Sequence, residues 1–176
     1  MSLLSKVETE DATGKTAEIY EQAEKMMGYV PNALKMHSIN PAMLEHLWEY
    51  MGTVMDHPTL SGELFTTIRL LVSQHYDCEY CINMNEAMLV NMAGYTHEQI
   101  DAIKQDPSKA PLLDKEKALL VYVVNAVADS NAVGETEVNS LRAVGCTDEE
   151  IYDALRHGAN QVAGDILLNA FHVEPE

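Results

Sequence analysis

Two cysteines three residues apart, Cys78 and Cys81, sit in the stretch from Gln74 to Gly94 and are the chain's clearest chemical signature. At the start of a helix this spacing puts both sulfurs on one face, within disulfide reach. A thiolate attacks peroxides and disulfides, and a second thiol beside it can resolve the product into an intramolecular disulfide. A helix N-terminus favours the thiolate by ~0.3–1 kcal/mol. Asp77 and Glu79 oppose it. Their charges at ~6 Å cost on the order of 0.7 kcal/mol in a wet site and ~3 kcal/mol at an effective dielectric near 20. The residue pattern alone therefore leaves buried structural thiols open beside redox chemistry. Zinc needs about four ligands, and neither a second CxxC nor a close histidine pair is present, so no metal is expected. Nothing in the pattern calls for a cofactor. Cys146, alone after a glycine, reads as core.

The elements that must position the pair all read as helices, because no segment alternates with period two. Ala17, Ile19, Tyr20, Ala23, Met26 and Met27 recur at helical spacing, with Gly28 placed to end that helix, and Pro31 suits the first position of a short one. Asn40 and Pro41 open a third, stopped at His57-Pro58, and Ser61 caps a fourth that runs to about His75. Asp77 then reads as the cap of the cysteine helix, with Cys78 at its first position and Gly94 closing it. Met84, Met88 and Met92 form a stripe on this helix, suited to core packing or a subunit interface. Thr96 with Gln99 and Thr147 with Glu150 read as capping boxes. The helix from Asp114 to about Ala128 is apolar nearly all round and is expected at the centre of the core. A helix from Gly134 to Val144 follows, then a last one from Asp148 to about Ala170, where Gly158, Ala159, Ala163 and Gly164 would admit a close neighbour. Gly94-Tyr95-Thr96-His97-Glu98-Gln99-Ile100 echoes Gly145-Cys146-Thr147-Asp148-Glu149-Glu150-Ile151, through either repeated helical hairpins or shared capping chemistry. The histidines, His37, His46, His57, His75, His97, His157 and His172, are scattered, and most read as surface or capping residues. Only His75 is near the pair in sequence.

A chain of 176 residues, 47% hydrophobic and 22% charged, reads as a single folded domain, 1–176. A formal net charge of -17 repels nucleic acid and anionic membrane surfaces. No apolar run is long enough to span a bilayer and no signal peptide is evident, so a cytoplasmic location is expected. There, a close cysteine pair points to redox chemistry or metal rather than a structural disulfide.

Further residues carry a resemblance. Leu60-Ser61, Ile68-Arg69-Leu70-Leu71-Val72-Ser73 and Cys78-Glu79-Tyr80-Cys81 are similar to the carboxymuconolactone decarboxylase and alkylhydroperoxidase D-like superfamily. So are Gly28-Tyr29-Val30-Pro31-Asn32, Asn40-Pro41, Ala93-Gly94, the segment Gly145–Ile151 and Asn169-Ala170-Phe171-His172-Val173. The resemblance spans nearly the whole chain. It implies an all-α subunit assembling as a dimer, trimer or hexamer, and a thiol peroxidase or disulfide reductase. Cys81 would attack a hydroperoxide and Cys78 would resolve, with a lipoyl protein or a thioredoxin-like protein as electron donor. The family's proton relay uses a glutamate twelve residues before the first cysteine, a histidine four after the second and sometimes a histidine just before the second. Thr66, Asn85 and Tyr80 stand at these positions here. Neither Thr nor Asn can exchange protons near neutral pH. Glu63, one helical turn before Thr66, and His75 are the candidate replacements, with Glu86 a poorer one.

Three functions follow in order: a thiol-dependent peroxidase, a non-catalytic thiol sensor or oligomeric binding protein, and a lactone decarboxylase-like enzyme. The last ranks lowest because decarboxylase members generally lack the cysteine pair.

Overall fold

The computed structural model describes residues 2–176, and all regular structure among them is helical. The α-helices are α1 (Gly14–Met27), α2 (Asn32–His37), α3 (Pro41–Met55), α4 (Gly62–His75), α5 (Glu79–Ala93), α6 (His97–Gln105), α7 (Asp114–Ala128), α8 (Glu135–Ala143) and α9 (Asp148–Ala170). Short 3-10 turns occur at Thr9–Asp11 and Pro107–Lys109. The residues group into two compact units, one running up to Asp56 and resuming at Leu168–Glu176, the other His57–Leu167.

In the first unit, Ile19, Tyr20 and Ala23 of α1 pack with Val30, Leu34 of α2 and Leu44 of α3. The Tyr20 hydroxyl, carried into this apolar cluster, donates to the Val7 carbonyl at 2.9 Å, which satisfies its polar end. Asn40 caps α3, its side-chain oxygen accepting from Met43 N–H. Pro31 lies one residue earlier than expected: it is the N-cap of α2, not its first helical residue.

The second unit holds the cysteines, and its central element differs from the sequence expectation. In α7 the buried residues are Glu116, Leu119, Leu120, Val123 and Ala126. Val121, Tyr122 and Asn125 instead line a groove of about 450 Å³ with Leu141 and Val144. It is α4 that is closed on nearly every side, with Leu64 to Ile68 and Leu70 to Ser73 all buried. Periodicity hides this because α4 carries hydroxyls at buried positions. Thr66 and Thr67 turn theirs back onto the Gly62 and Glu63 carbonyls at 2.8 and 2.7 Å, so burial leaves no polar group unpaired. The start of α4 is fixed twice. Ser61 Oγ accepts from Leu64 N–H at 3.1 Å, and the buried Glu116 carboxylate accepts from Ser61 N–H at 2.7 Å.

Helix α9 reaches this core at Gly158. A Cβ there would stand 2.5 Å from Val123 Cγ1 and 3.3 Å from Val127 Cγ2, so only glycine lets α9 lie this close to α7. Gly164 has open space where a Cβ would be, and Ala159 and Ala163 are exposed, so the expected close approach is confined to Gly158. Both echoed segments form true capping boxes. Thr96 and Gln99 exchange backbone-to-side-chain bonds at 3.2 and 2.8 Å, and Thr147 and Glu150 do so at 3.1 and 3.0 Å.

Candidate functional site

The turn between α4 and α5 sets the cysteines. Asp77 adopts a left-handed conformation, φ 51°, and Cys78 N–H bonds back to the Ser73 carbonyl at 3.0 Å. That is the six-to-one closure of a helix C-terminus. Asp77 is thus committed to ending α4 and does not cap α5. Cys78 is itself the N-cap, one residue earlier in the helix than the sequence predicts, and its carbonyl accepts the first bond of α5, from Ile82 N–H at 2.9 Å. Cys81 then lies within the first turn.

Both sulfurs are free thiols and both residues are closed off, Cys78 with 0% and Cys81 with 4% of its surface exposed. Asp165 of α9, wholly buried, completes a group of three. A carboxylate oxygen and the two sulfurs lie within 4.8 Å of one another. One carboxylate oxygen, Oδ1, accepts from Ser73 Oγ at 2.9 Å and from Gln161 Nε2 at 2.8 Å. The other, Oδ2, is buried with no hydrogen-bond partner among the described residues. Burial pushes the Asp165 carboxyl above the usual carboxylate range, against the opposing pull of the thiols, Gln161 and Ser73. Within the pair, donation from the Cys81 thiol toward the Cys78 sulfur holds Cys78 below the ordinary thiol range. Cys81 is pushed up by that same bond, by burial and by Asp165. Cys81, the thiol its surroundings raise, therefore needs a base to lose its proton. Two thiols and a carboxylate could also hold a thiophilic cation, which would find three of its usual four donors here.

Two positions of the expected relay, Thr66 and Asn85, are gathered elsewhere, around Arg69 of α4. Its Nε donates to Asn85 Oδ1 at 2.7 Å, Nη1 to His157 Nε2 at 3.2 Å, and Nη2 to Thr66 Oγ1 at 3.0 Å and Met88 Sδ at 3.8 Å. Because Arg69 can only donate, His157 Nε2 must accept, and Nδ1 carries the proton toward the Phe65 carbonyl. Burial, then the Arg69 charge, pushes His157 down to about 3, so the imidazole is neutral. Asn85 Nδ2 donates to the Cys81 carbonyl at 2.7 Å and ties this network to the cysteine turn.

Thr66 and Asn85 are thus brought together, through Arg69, and Tyr80 is buried near the start of α5. Glu63 and His75 are exposed, His75 with its ring edge against Tyr76, and Glu86 pairs with Lys104. Of the methionine stripe, Met92 is exposed and Met84 and Met88 are half-buried. His157 is the exception to the reading of most histidines as surface or capping residues: it is 2% exposed and lies edge-on to Phe65. The reading holds for His57, whose Nδ1 accepts from Leu60 N–H at 3.0 Å. Sequence reasoning missed Asp165, Gln161, Ser73, Arg69 and His157. One signal was available. His157, Gln161 and Asp165 recur every four residues in α9, beside the apolar stripe Ile151, Ala154 and Leu168.

Neither a family model nor a curated sequence matches the chain. Solved structures do. A peroxidase-related protein of Ralstonia eutropha JMP134, an alkylhydroperoxidase AhpD core, aligns with TM-score 0.87 at 20% identity over 99% of this chain and 92% of its own. A peroxidase-related protein of Silicibacter sp. TM1040 aligns over the same shares with TM-score 0.83, also at 20% identity. The debrominase Bmp8 in its apo form aligns over the same shares with TM-score 0.76 at 17% identity. The chain has the alkylhydroperoxidase D core fold, all-α, and the CxxC pair Cys78–Cys81 stands in it. No helix of the described residues is long and apolar enough to cross a membrane.

Proposed function

We propose that this chain is a thiol-dependent peroxidase that cycles Cys78 and Cys81 between dithiol and disulfide. The observation that carries this reading is the pair of free thiols at the start of α5, beside a buried carboxylate, in a fold shared with peroxidase-related proteins. Cys81 gives up its proton and its sulfur attacks the distal oxygen of a hydroperoxide. The O–O bond breaks, the alkoxide leaves as the alcohol after taking a proton, and Cys81 becomes a sulfenic acid. Cys78 sulfur then attacks Cys81 sulfur, the S–S bond forms and the hydroxyl leaves as water. Two electrons pass from two thiols to one peroxide. An external dithiol, on a lipoyl or thioredoxin-like protein, returns two electrons and two protons. Cys81 takes the attacking role because it retains a little exposed surface and Cys78 has none. Such a cycle belongs in a reducing compartment, the cytoplasm, and in a homo-oligomeric assembly.

Hydroperoxide consumption driven by a dithiol reductant tests this reading. The wild type should turn over repeatedly and Cys81→Ser should lose essentially all activity; equal activity in that variant would end the proposal. The near-complete burial of both thiols favours a second reading, a thiol sensor that forms the disulfide once and does not turn over. One equivalent of peroxide consumed in excess reductant would select it.

A further inference from the structure

We propose that Asp165 is the proton acceptor for the Cys78–Cys81 pair, replacing the acid–base group that Thr66 and Asn85 cannot supply. The inference rests on the dithiol–disulfide reading above. Three observations carry it. The carboxylate and both sulfurs are mutually within 4.8 Å and closed to solvent, so solvent has little access to the thiol protons. Ser73 and Gln161 both bond to Oδ1, which fixes the rotation of the carboxylate. Oδ2 is left buried without a hydrogen-bond partner among the described residues. Leaving a buried carboxylate oxygen unpaired is costly, and Oδ2 is the oxygen not engaged by Ser73 or Gln161, open to a proton from the neighbouring thiols.

The chemistry requires such an acceptor, because forming a disulfide from two thiols releases two protons. Asp165 takes the proton of Cys81 as that sulfur attacks, and returns it to the departing alkoxide. It next takes the proton of Cys78 and gives it to the hydroxyl leaving the sulfenic acid as water. It ends each half-reaction ionised, so one carboxylate serves both. The groups facing it are few. The α5 turn presents the two thiols, α4 presents Ser73 and α9 presents Gln161, and neither of the last two titrates. Burial, which raises the carboxyl toward neutrality, brings it closer to the thiols it must serve.

The test is the pH–rate profile of disulfide formation by hydrogen peroxide, on full-length wild type, Asp165→Asn and Gln161→Met, with mass spectrometry to confirm the Cys78–Cys81 bond. Asparagine keeps the shape and the Oδ1 acceptor. Asp165→Asn should slow the reaction at pH 7 on the order of 10²-fold. Its rate should then climb about tenfold per pH unit as hydroxide takes over. Gln161→Met keeps the carboxylate but removes one donor from Oδ1, which should shift the profile upward by some tenths of a pH unit. Wild-type rate and profile in both variants would overturn the role of Asp165 while leaving the dithiol reading standing. A wild type that forms no disulfide would overturn both. Stoichiometric zinc bound to the wild type and lost from Asp165→Asn would assign the carboxylate as a metal ligand and overturn the proposal as well.

Discussion

Two polar layers cross the core of the His57–Leu167 unit, and each draws on the same three helices. The first takes Ser73 from α4, Cys81 from the start of α5 and Asp165 with Gln161 from α9. The second takes Arg69 and Thr66 from α4, Asn85 from α5 and His157 from α9. Ser73 lies one helical turn from Arg69 on α4, Cys81 one turn from Asn85 on α5 and Asp165 two turns from His157 on α9, so a single helix arrangement builds both. Their chemistry is opposite. The first layer holds groups that can gain and lose protons, two thiols and a carboxylate, with Ser73 and Gln161 bonded to the carboxylate. The second is built on a guanidinium that never loses its proton, bonded to a neutral imidazole, an amide and a hydroxyl. Of the expected relay positions, Thr66 and Asn85 fall in the layer that cannot exchange protons. Acid–base capacity resides one turn away, at the thiols themselves.

The sharpest way to break this division is to remove the fixed charge. Arg69→Met deletes the hydrogen bonds to Asn85, His157 and Thr66 and leaves their acceptors buried. Bonds from a charged donor contribute about 1.5–3 kcal/mol each and their losses are not additive, so urea denaturation should show a loss of about 3 kcal/mol. The pH dependence of disulfide formation in the folded variant should stay where it is. A shift in that profile would show that the two layers handle protons jointly.

The layers should also respond to pH with opposite signs. His157 titrates near 6.5 when unfolded and is pushed down to about 3 when folded. Between these values the unfolded chain binds the extra proton, so stability is full above pH 6.5 and falls as pH drops, by at most ~1.4 kcal/mol per unit. Asp165 is raised when folded. Above its unfolded value near 3.8 the folded chain binds the extra proton, so stability falls as pH rises until the folded carboxyl has ionised. Melting curves from pH 4 to 8 separate the two. Relative to wild type, His157→Gln should gain toward low pH and Asp165→Asn toward high pH. Parallel curves for the two variants would refute the assignment.

What the sequence discloses and what it hides follow the same division. Local chemistry is legible. Asn40, Ser61, Thr96 with Gln99 and Thr147 with Glu150 all form the caps their neighbours predict, because capping involves residues three apart. Asp77 misleads only because two local motifs compete for it, the end of α4 and the start of α5, and the first wins. The cysteines are visible because their partner is also local. Asp165 meets Ser73 across 92 residues and His157 meets Arg69 across 88, and no single-helix pattern states such a pairing. A polar stripe on α9 looks solvated until the facing residues of α4 are known, and α4 looks merely amphipathic until its buried hydroxyls are found bonded to their own helix.

The smallest effects give the finest comparison, because one deleted hydroxyl can be read in each layer. Ser73→Ala removes a donor to Asp165 Oδ1, and Thr66→Val removes an acceptor from Arg69 Nη2. Each should cost about 1 kcal/mol of stability, the net worth of an ordinary buried hydrogen bond. Only the first should change the chemistry. A carboxylate with one donor fewer is less stable ionised, so the pH profile of disulfide formation should move upward in Ser73→Ala by some tenths of a unit. In Thr66→Val no titrating group loses a partner, and the profile should coincide with wild type. If both variants move it, Arg69 influences the thiols through Asn85, whose amide bonds to the Cys81 carbonyl, and the second layer is then a tuning element for the first.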